Sequence, residues 1–341
     1  MIRTHRFAAP FVALVWLLAL VPFAAAEGPR FGVITRFDPR FDSLVPADAK
    51  LEKLEEGFEW SEGPVWFPED GGYLLFSDIP LNSVLKWQAG KGISLFLKPS
   101  GYTGSEPFEG PEPGSNGLLR DKEGRLILCE HGDRRVARLE KDGTKTVLAD
   151  RYQGKRLNSP NDGAIKSNGD IYFTDPPFGL PLRMEDPRRE LDFCGVFRIG
   201  TDGSLTLLND DTTRPNGIAF SPDEKTLYVA QSDPAAALWR AFDVKEDGTL
   251  GAVRVFYDAT AAAQAGGKGG CDGMKVDAQG NLFCTGPGGV HVFSPDGTLL
   301  GKIETDERNG NVAWGEDGST LFIMADMYLC RVKTSTKGAG W

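Results

Sequence analysis

Histidine and cysteine are scarce in this 341-residue chain, at three and five residues, and the scarcity excludes several chemistries. Cys129, Cys194, Cys271, Cys284 and Cys330 are too few for a disulfide scaffold and lack the paired spacing of a zinc site. Cys271 and Cys284 could face each other across a hairpin, but buried free thiols are the expectation, and an odd count leaves at least one unpaired within the chain. No Gly-x-Ser-x-Gly elbow is available to activate a serine. A basic excess is also missing. The formal net charge is −10, which argues against nucleic acid or an anionic membrane surface as partner, since both need clustered Lys and Arg. Helix-period amphipathicity is almost absent, with Leu51 to Glu56 the one doubtful stretch.

Long apolar runs are confined to the N-terminus. Arg3 and Arg6 precede the run Phe11 to Phe23, which ends in Ala24-Ala25-Ala26. This reads as an export signal over residues 1–26, with cleavage after Ala26. A membrane anchor is the competing reading, but the run is short for a span and contains Pro22. Residues 27–341 would then form one domain, periplasmic or secreted.

What the chain does have is turn formers and repetition. Gly 42 and Pro 22 suit many short strands joined by turns. The segment PVWFPEDGGYLLFSDI is an apolar run, a turn and an apolar run, and the pattern returns in GLLRDKEGRLILCEHG, GAIKSNGDIYFTDP, GIAFSPDEKTLYVAQS, GMKVDAQGNLFCTG and NVAWGEDGSTLFIMAD. Most copies are followed by a second turn, as at Lys141-Asp142-Gly143-Thr144 and Ser294-Pro295-Asp296-Gly297. Six units of four antiparallel strands at this spacing predict an all-β fold, a six-bladed β-propeller. The sixth copy runs out of sequence one strand early, while Phe31 to Thr35 and Leu51 to Phe58 precede the first. An N-terminal strand is therefore expected to close the last blade and remove its exposed edge.

In such a fold the first strand of each blade lines a central channel, and the residue before it lies at one mouth. That position holds Glu62, Asn116, Asn161, Asn216, Asp272 and, less cleanly, Asn309 or Asn311. Asn-Gly and Asp-Gly pairs are ordinary turn formers. Here, however, each precedes its own hairpin turn by a similar offset, as Asn216-Gly217 precedes Ser221-Pro222-Asp223-Glu224, and Glu62 before Gly-Pro is no turn former. Gly217 would let the backbone bend into its strand without a side chain crowding the mouth. Converging amide oxygens and two carboxylates, with no His or Cys among them, describe a hard-cation site that favours Ca²⁺ over Mg²⁺.

The chain resembles the gluconolactonase and regucalcin (senescence marker protein) family, closest to its bacterial gluconolactonase-like branch. The resemblance rests on SEGPVW, SNGL, LCEHGDRRVARLEKDG, LADRYQGKRLNSPNDG, IYFTDPPFGL, RPNGIAFSPDEKTLYVA and CDGMKVDAQGNLF. It implies calcium held by Glu62, Asn161, Asn216 and Asp272, a small lactone substrate in the channel mouth, and Asn116 and His131 as its contacts beside Asn161. Ser159 stands where the animal regucalcins have a substrate-touching Arg, so their substrate preference does not transfer.

Opening a lactone needs an activated water, and calcium acidifies water less than zinc does, so a separate base is expected. Asp272 is the family-like candidate and His131 the alternative. His291, within the strand VHVF, reads as structural. Asp175 is expected to organise a turn and Asp162 to support its neighbour Asn161; Arg134-Arg135 could steer an anionic product or substrate, but exposed charge on a strand-turn edge is the expectation. Two rival functions use the same residues: hydrolysis of a phosphotriester or organofluorophosphate, and a non-catalytic binding propeller pinned by calcium.

Overall fold

Five turns share the pattern Asp-Gly-Thr or Asp-Gly-Ser, and their chemistry spaces the strands. Asp142, Asp202, Asp247, Asp296 and Asp317 each accept, through Oδ1, the backbone N–H two residues on, at 2.9 to 3.1 Å. The intervening Gly143, Gly203, Gly248, Gly297 and Gly318 have φ of 78 to 90°, a left-handed conformation that only glycine adopts freely.

These turns and their partners organise six antiparallel blades, beside a two-stranded ribbon of Arg151–Tyr152 and Lys155–Arg156, in a computed structural model that describes Met1 and residues 31–341. The export signal expected over residues 1–26 lies outside the described residues. From inside to outside, blade 1 is Ser61–Phe67, Tyr73–Asp78, Ser83–Gln88 and Gly92–Leu97. Blade 2 is Ser115–Arg120, Leu126–Glu130, Arg135–Leu139 and Lys145–Ala149. Blade 3 is Gly163–Ile165, Ile171–Asp175, Gly195–Ile199 and Leu205–Asn209. Blade 4 is Pro215–Phe220, Thr226–Asp233, Ala236–Val244 and Leu250–Asp258. Blade 5 begins with Met274–Val276 and runs through Leu282–Gly286 and Gly289–Phe293 to Leu299–Glu304; blade 6 has Asn311–Gly315, Thr320–Ala325 and Tyr328–Lys333. The innermost strands touch in cyclic order, blade 6 against blade 1, and this is the six-bladed propeller the repeats predict.

Closure occurs as expected. Leu51–Glu56 is a strand, and it pairs antiparallel with Tyr328–Lys333, Leu51 opposite Val332 and Glu56 opposite Tyr328. The segment ahead of it does something the repeats do not foretell: Val33–Arg36 adds a fifth, outer strand to blade 5 by pairing with Leu299–Glu304.

The core is divided among the seams between blades. Phe76 and Leu74 of blade 1 pack with Phe322 and Met324 of blade 6; Ile127 of blade 2 with Phe173 and Phe197 of blade 3; Trp239 of blade 4 with Cys284 and Phe293 of blade 5. Three further clusters fill the remaining seams. Each second strand is apolar on both faces, as Leu282–Gly286 is buried throughout, because it is covered by a blade on either side. All five cysteines are buried free thiols, filling seam volume as small apolar residues do.

Candidate active site

The residues at the channel mouth are placed by bulges. Pairing between Pro215–Phe220 and its neighbour slips between Pro215 and Ile218, and the same slip occurs between Glu62 and Val65 and between Ser115 and Leu118. Asn216, Glu62 and Asn116 thus lie inside their inner strands rather than before them. A bulge re-aims side chains and is common beside functional sites. In blades 3 and 5 the inner strands start later, and Asn161 and Asp272 each stand two residues ahead.

The glycine that follows has a different reason from the one expected for Gly217. A Cβ there would lie 2.2 Å from the backbone oxygen of Asp272, one at Gly63 2.0 Å from that of Asn116, and one at Gly117 2.6 Å from that of Asn161. What a side chain would crowd is the next blade. Hydroxyls complete the interlock. Ser77 Oγ donates to Asn116 O at 2.8 Å, Thr174 Oγ1 to Asn216 O at 2.7 Å, Thr285 Oγ1 to Gly310 O at 2.8 Å, and Ser232 Oγ to Cys271 O.

Glu62, Asn116, Asn161 and Asn216 are buried, and Asp272 is partly exposed. Burial pushes Glu62 up to about 8, with repulsion from Asp162 adding to it. Asp272 is pushed well above the usual carboxylate range by burial and by the negative charges of Glu62, Asp162 and Glu112, while a hydrogen bond from Asn216 opposes the rise. Three carboxylates therefore share one desolvated site, and its cationic neighbour is Lys275, whose charge lowers Glu62 and Asp162.

The amides are oriented with their oxygens available. Asn216 Nδ2 donates to Ser232 Oγ at 3.1 Å. Asn161 Nδ2 lies 3.4 Å from His131 Nε2. The buried Oδ1 atoms of Asn161 and Asn116 have no hydrogen-bond partner, a costly state unless something occupies the site. An all-oxygen donor set with unpartnered carbonyls and crowded carboxylates fits a hard dication. Among the described residues no group of three or more His, Cys, Asp and Glu is arranged to hold a metal; half of this donor set is amide.

Other residues settle differently. Asn311, not Asn309, belongs to the cluster: its Nδ2 donates to Asp162 Oδ2 at 3.2 Å and it bonds Glu62. Asn309 Nδ2 is used by Thr305 Oγ1 at 2.6 Å within its own loop. Asp162 is buried, accepts from Gly163 N at 2.8 Å, and faces Glu62 as a third carboxylate. Asp175 organises the loop that carries Asn161 by accepting from the backbone N–H of Asn158 and Ser159, each at 2.8 Å, and burial pushes it up to about 7. Arg134 corrects the sequence reading: it is 6% exposed, not a surface charge, and Arg135 pairs with the buried Glu130.

His131 is fully buried, with Nδ1 3.1 Å from Glu112 Oε2. Sequence reasoning missed Glu112, which sits in the irregular segment 98–114 where no repeat register points to it. It also missed Lys275, since a Lys one residue after Met274 looks like any strand polar position.

Residues 60–326 match the family model described as the SMP-30/Gluconolactonase/LRE-like region. The chain is 40% identical over 319 residues to a protein named gluconolactonase from Zymomonas mobilis subsp. mobilis, covering 92% of this chain and 89% of that one. A solved gluconolactonase structure from Xanthomonas campestris superposes with a TM-score of 0.76 at 34% identity, covering 91% of this chain and 99% of the other. A calcium-binding regucalcin from Agrobacterium tumefaciens shares the fold, with a TM-score of 0.65 at 19% identity over 85% of this chain and 94% of that one.

Proposed function

Because the chain belongs to the SMP-30/gluconolactonase/LRE-like family and is a lactone-hydrolysing enzyme by that kinship, we propose that it opens a sugar lactone of the gluconolactone type in a calcium-dependent reaction. The observation that carries the calcium reading is the buried, unpartnered Asn161 Oδ1 beside the crowded carboxylates Glu62 and Asp272. Glu62, Asn161, Asn216 and Asp272 would hold the ion, which when bound would polarise the lactone carbonyl and stabilise the charge growing on its oxygen. The reading of residues 1–26 as an export signal puts this reaction in the periplasm or outside the cell.

The chain supplies the proton chemistry. Asp272 takes a proton from the attacking water and returns it to the ring oxygen as the carbon–oxygen bond opens, leaving a hydroxy acid. His131, with Glu112 behind Nδ1, is the second candidate for this role. Asn116 and Asn161 orient the substrate hydroxyls.

Hydrolysis of an aldonolactone panel, before and after chelation and with calcium restored, tests the reading. The wild type loses activity on chelation and recovers it. Asp272→Asn lowers kcat about a hundredfold or more, and Asn216→Ala raises the calcium needed for half-activity at least about tenfold. If the wild type opens none of the lactones, the proposal fails; turnover of phosphotriesters alone would move the same residues to that chemistry. A fall in Tm on chelation without turnover of either class would favour a binding propeller.

A further inference from the structure

Beside the channel mouth lies a cavity of about 330 Å³ whose wall includes Gly132 and Gly179. Both glycines border His131: Gly132 follows it in sequence, and a Cβ on Gly179 would lie 2.5 Å from the His131 Cβ. One side of the cavity is apolar, formed by Tyr102 and Phe108 with ring centroids 5.1 Å apart. Arg134, Arg156 and Arg188 also line it.

Among the described residues, two of these three arginines have no carboxylate within ion-pair distance. Arg188 pairs with Asp186 at 2.8 Å and Glu109 at 3.2 Å. Arg134 is buried and spends Nε on the carbonyls of Leu157 and Asn158, at 2.8 and 3.0 Å, and Nη1 on that of Arg188 at 2.9 Å. Its Nη2 is buried with no partner. Arg156 donates Nη2 to Asp133 O at 2.8 Å. The nearby Glu190 takes the backbone N–H of Arg156 at 2.8 Å and forms no ion pair with either guanidinium. Burial, with the charge of Arg156, disfavours the protonated form of Arg134, and the charges of Asp175, Glu190 and Asp186 offset part of this. Two guanidiniums beside an apolar wall, one with a buried and unpartnered Nη2, leave donor capacity that an entering anion would take up. Glu106 and Glu109 also line the cavity, and the Glu109 side chain is 77% exposed.

Arg134 has φ of 58°, and its counterpart in the equivalent blade 1 turn is Asn82 at 51°. Each closes a four-residue loop by bonding back three residues, Asn82 N to Ile79 O and Arg134 N to His131 O. Asparagine tolerates this left-handed conformation; a long side chain is strained there.

We propose that this cavity is an oxyanion-binding subsite that takes the carboxylate or phosphate of a sugar acid beside the lactone site. Guanidinium forks suit planar carboxylate and phosphate oxygens. The lactonase reading enters only in the sugar acid, because ring opening yields an aldonate whose carboxylate is such an anion.

Calorimetric titration of the full chain in chelator, with inorganic phosphate, gluconate and a phosphorylated aldonate in turn against chloride at matched ionic strength, tests it. At least one anion is expected to bind saturably, and about tenfold or more weakly in Arg156→Gln, the loss of one charge-assisted contact. Phosphate binding alone would identify a free-phosphate site, aldonate binding the product carboxylate, and binding of the phosphorylated aldonate alone a phosphorylated substrate. Amide hydrogen exchange on the wild type gives a second reading independent of any variant's folding: the bound anion should protect residues 132–134 and 156–158. No saturable binding, or binding unchanged in Arg156→Gln, would overturn the proposal. Because calcium and turnover are absent from the measurement, failure here leaves the lactonase reading standing, and an anion site can be found even if no lactone is hydrolysed.

Discussion

His291 lies inside Gly289–Phe293 with its ring 5.3 Å from that of Trp239 and stacked on Phe293 at 6.0 Å and 10°. Burial, reinforced by Lys302, pushes its imidazole down to about 3 from an ordinary 6.5. The native state holds it neutral while the unfolded chain protonates it near 6.5, so between about 6.5 and 3 the unfolded state binds the extra proton. Stability is then fully present above 6.5 and is lost as pH falls through that window, by at most about 1.4 kcal/mol per unit. His291→Phe keeps the ring volume and removes the titration. The difference in unfolding free energy between variant and wild type, measured by denaturant melts in chelator, should therefore shift in favour of the variant by a few kcal/mol from pH 7 to pH 4. A constant difference across that range would show that His291 does not titrate as its burial demands.

At the scale of one strand, the bulge in Pro215–Phe220 ties stability to the site. Gly217→Ala would push a methyl to within 2.2 Å of the Asp272 carbonyl, and overpacking of this kind costs about 1–3 kcal/mol. It also moves Asp272, so lactone hydrolysis and calcium affinity should fall further than the melting temperature suggests. Gly143→Ala is the control. Its φ of 86° makes alanine strained, by about 1–2 kcal/mol, but nothing lies within 4 Å, so only the melt should change. The same strand shows what can be read before folding. Asn216 was legible because six copies share a register, and a register is a property of sequence. The reason for Gly217 was not, since its obstacle is the carbonyl of Asp272, 55 positions on and brought close only by closure of the propeller. Glu112 and the buried state of Arg134 were hidden for the same reason: both depend on irregular loops meeting across blades, where neither period nor motif sets the partner. Leu51–Glu56 looked ambiguous because an outer strand, half exposed, lacks the continuous apolar run of an inner one.

Residues 31–341 form a ring held shut at one seam by strands from its first and last segments. Blade 6 takes its outer strand from Leu51–Glu56 and its other three from Asn311–Lys333, and Phe322 of that blade stacks on Trp66 of blade 1 at 5.6 Å and touches Trp87 at 5.4 Å. A chain lacking residues 31–58 would expose the edge of Tyr328–Lys333, uncover Leu329 and Val332, and lose Phe41 and Leu51 from the seam between blades 5 and 6. Each large apolar side chain there contributes about 1.5–3 kcal/mol by its burial, against a net stability of about 5–15 kcal/mol for a typical domain. The truncated chain should therefore give no cooperative melt and should aggregate on gel filtration. A chain lacking only residues 31–38 loses the extra outer strand of blade 5 and the Arg36 and Asp38 contacts to the segment carrying Phe41; it should stay soluble, melt cooperatively at a lower temperature and keep its lactone hydrolysis. Phe322→Ala, with both ends intact, should cost about 3–5 kcal/mol and leave the outer pairing in place. If the chain without residues 31–58 melted cooperatively within a few degrees of the full protein, the seam would not be what holds the propeller shut, and the contacts among the six inner strands would have to close it unaided.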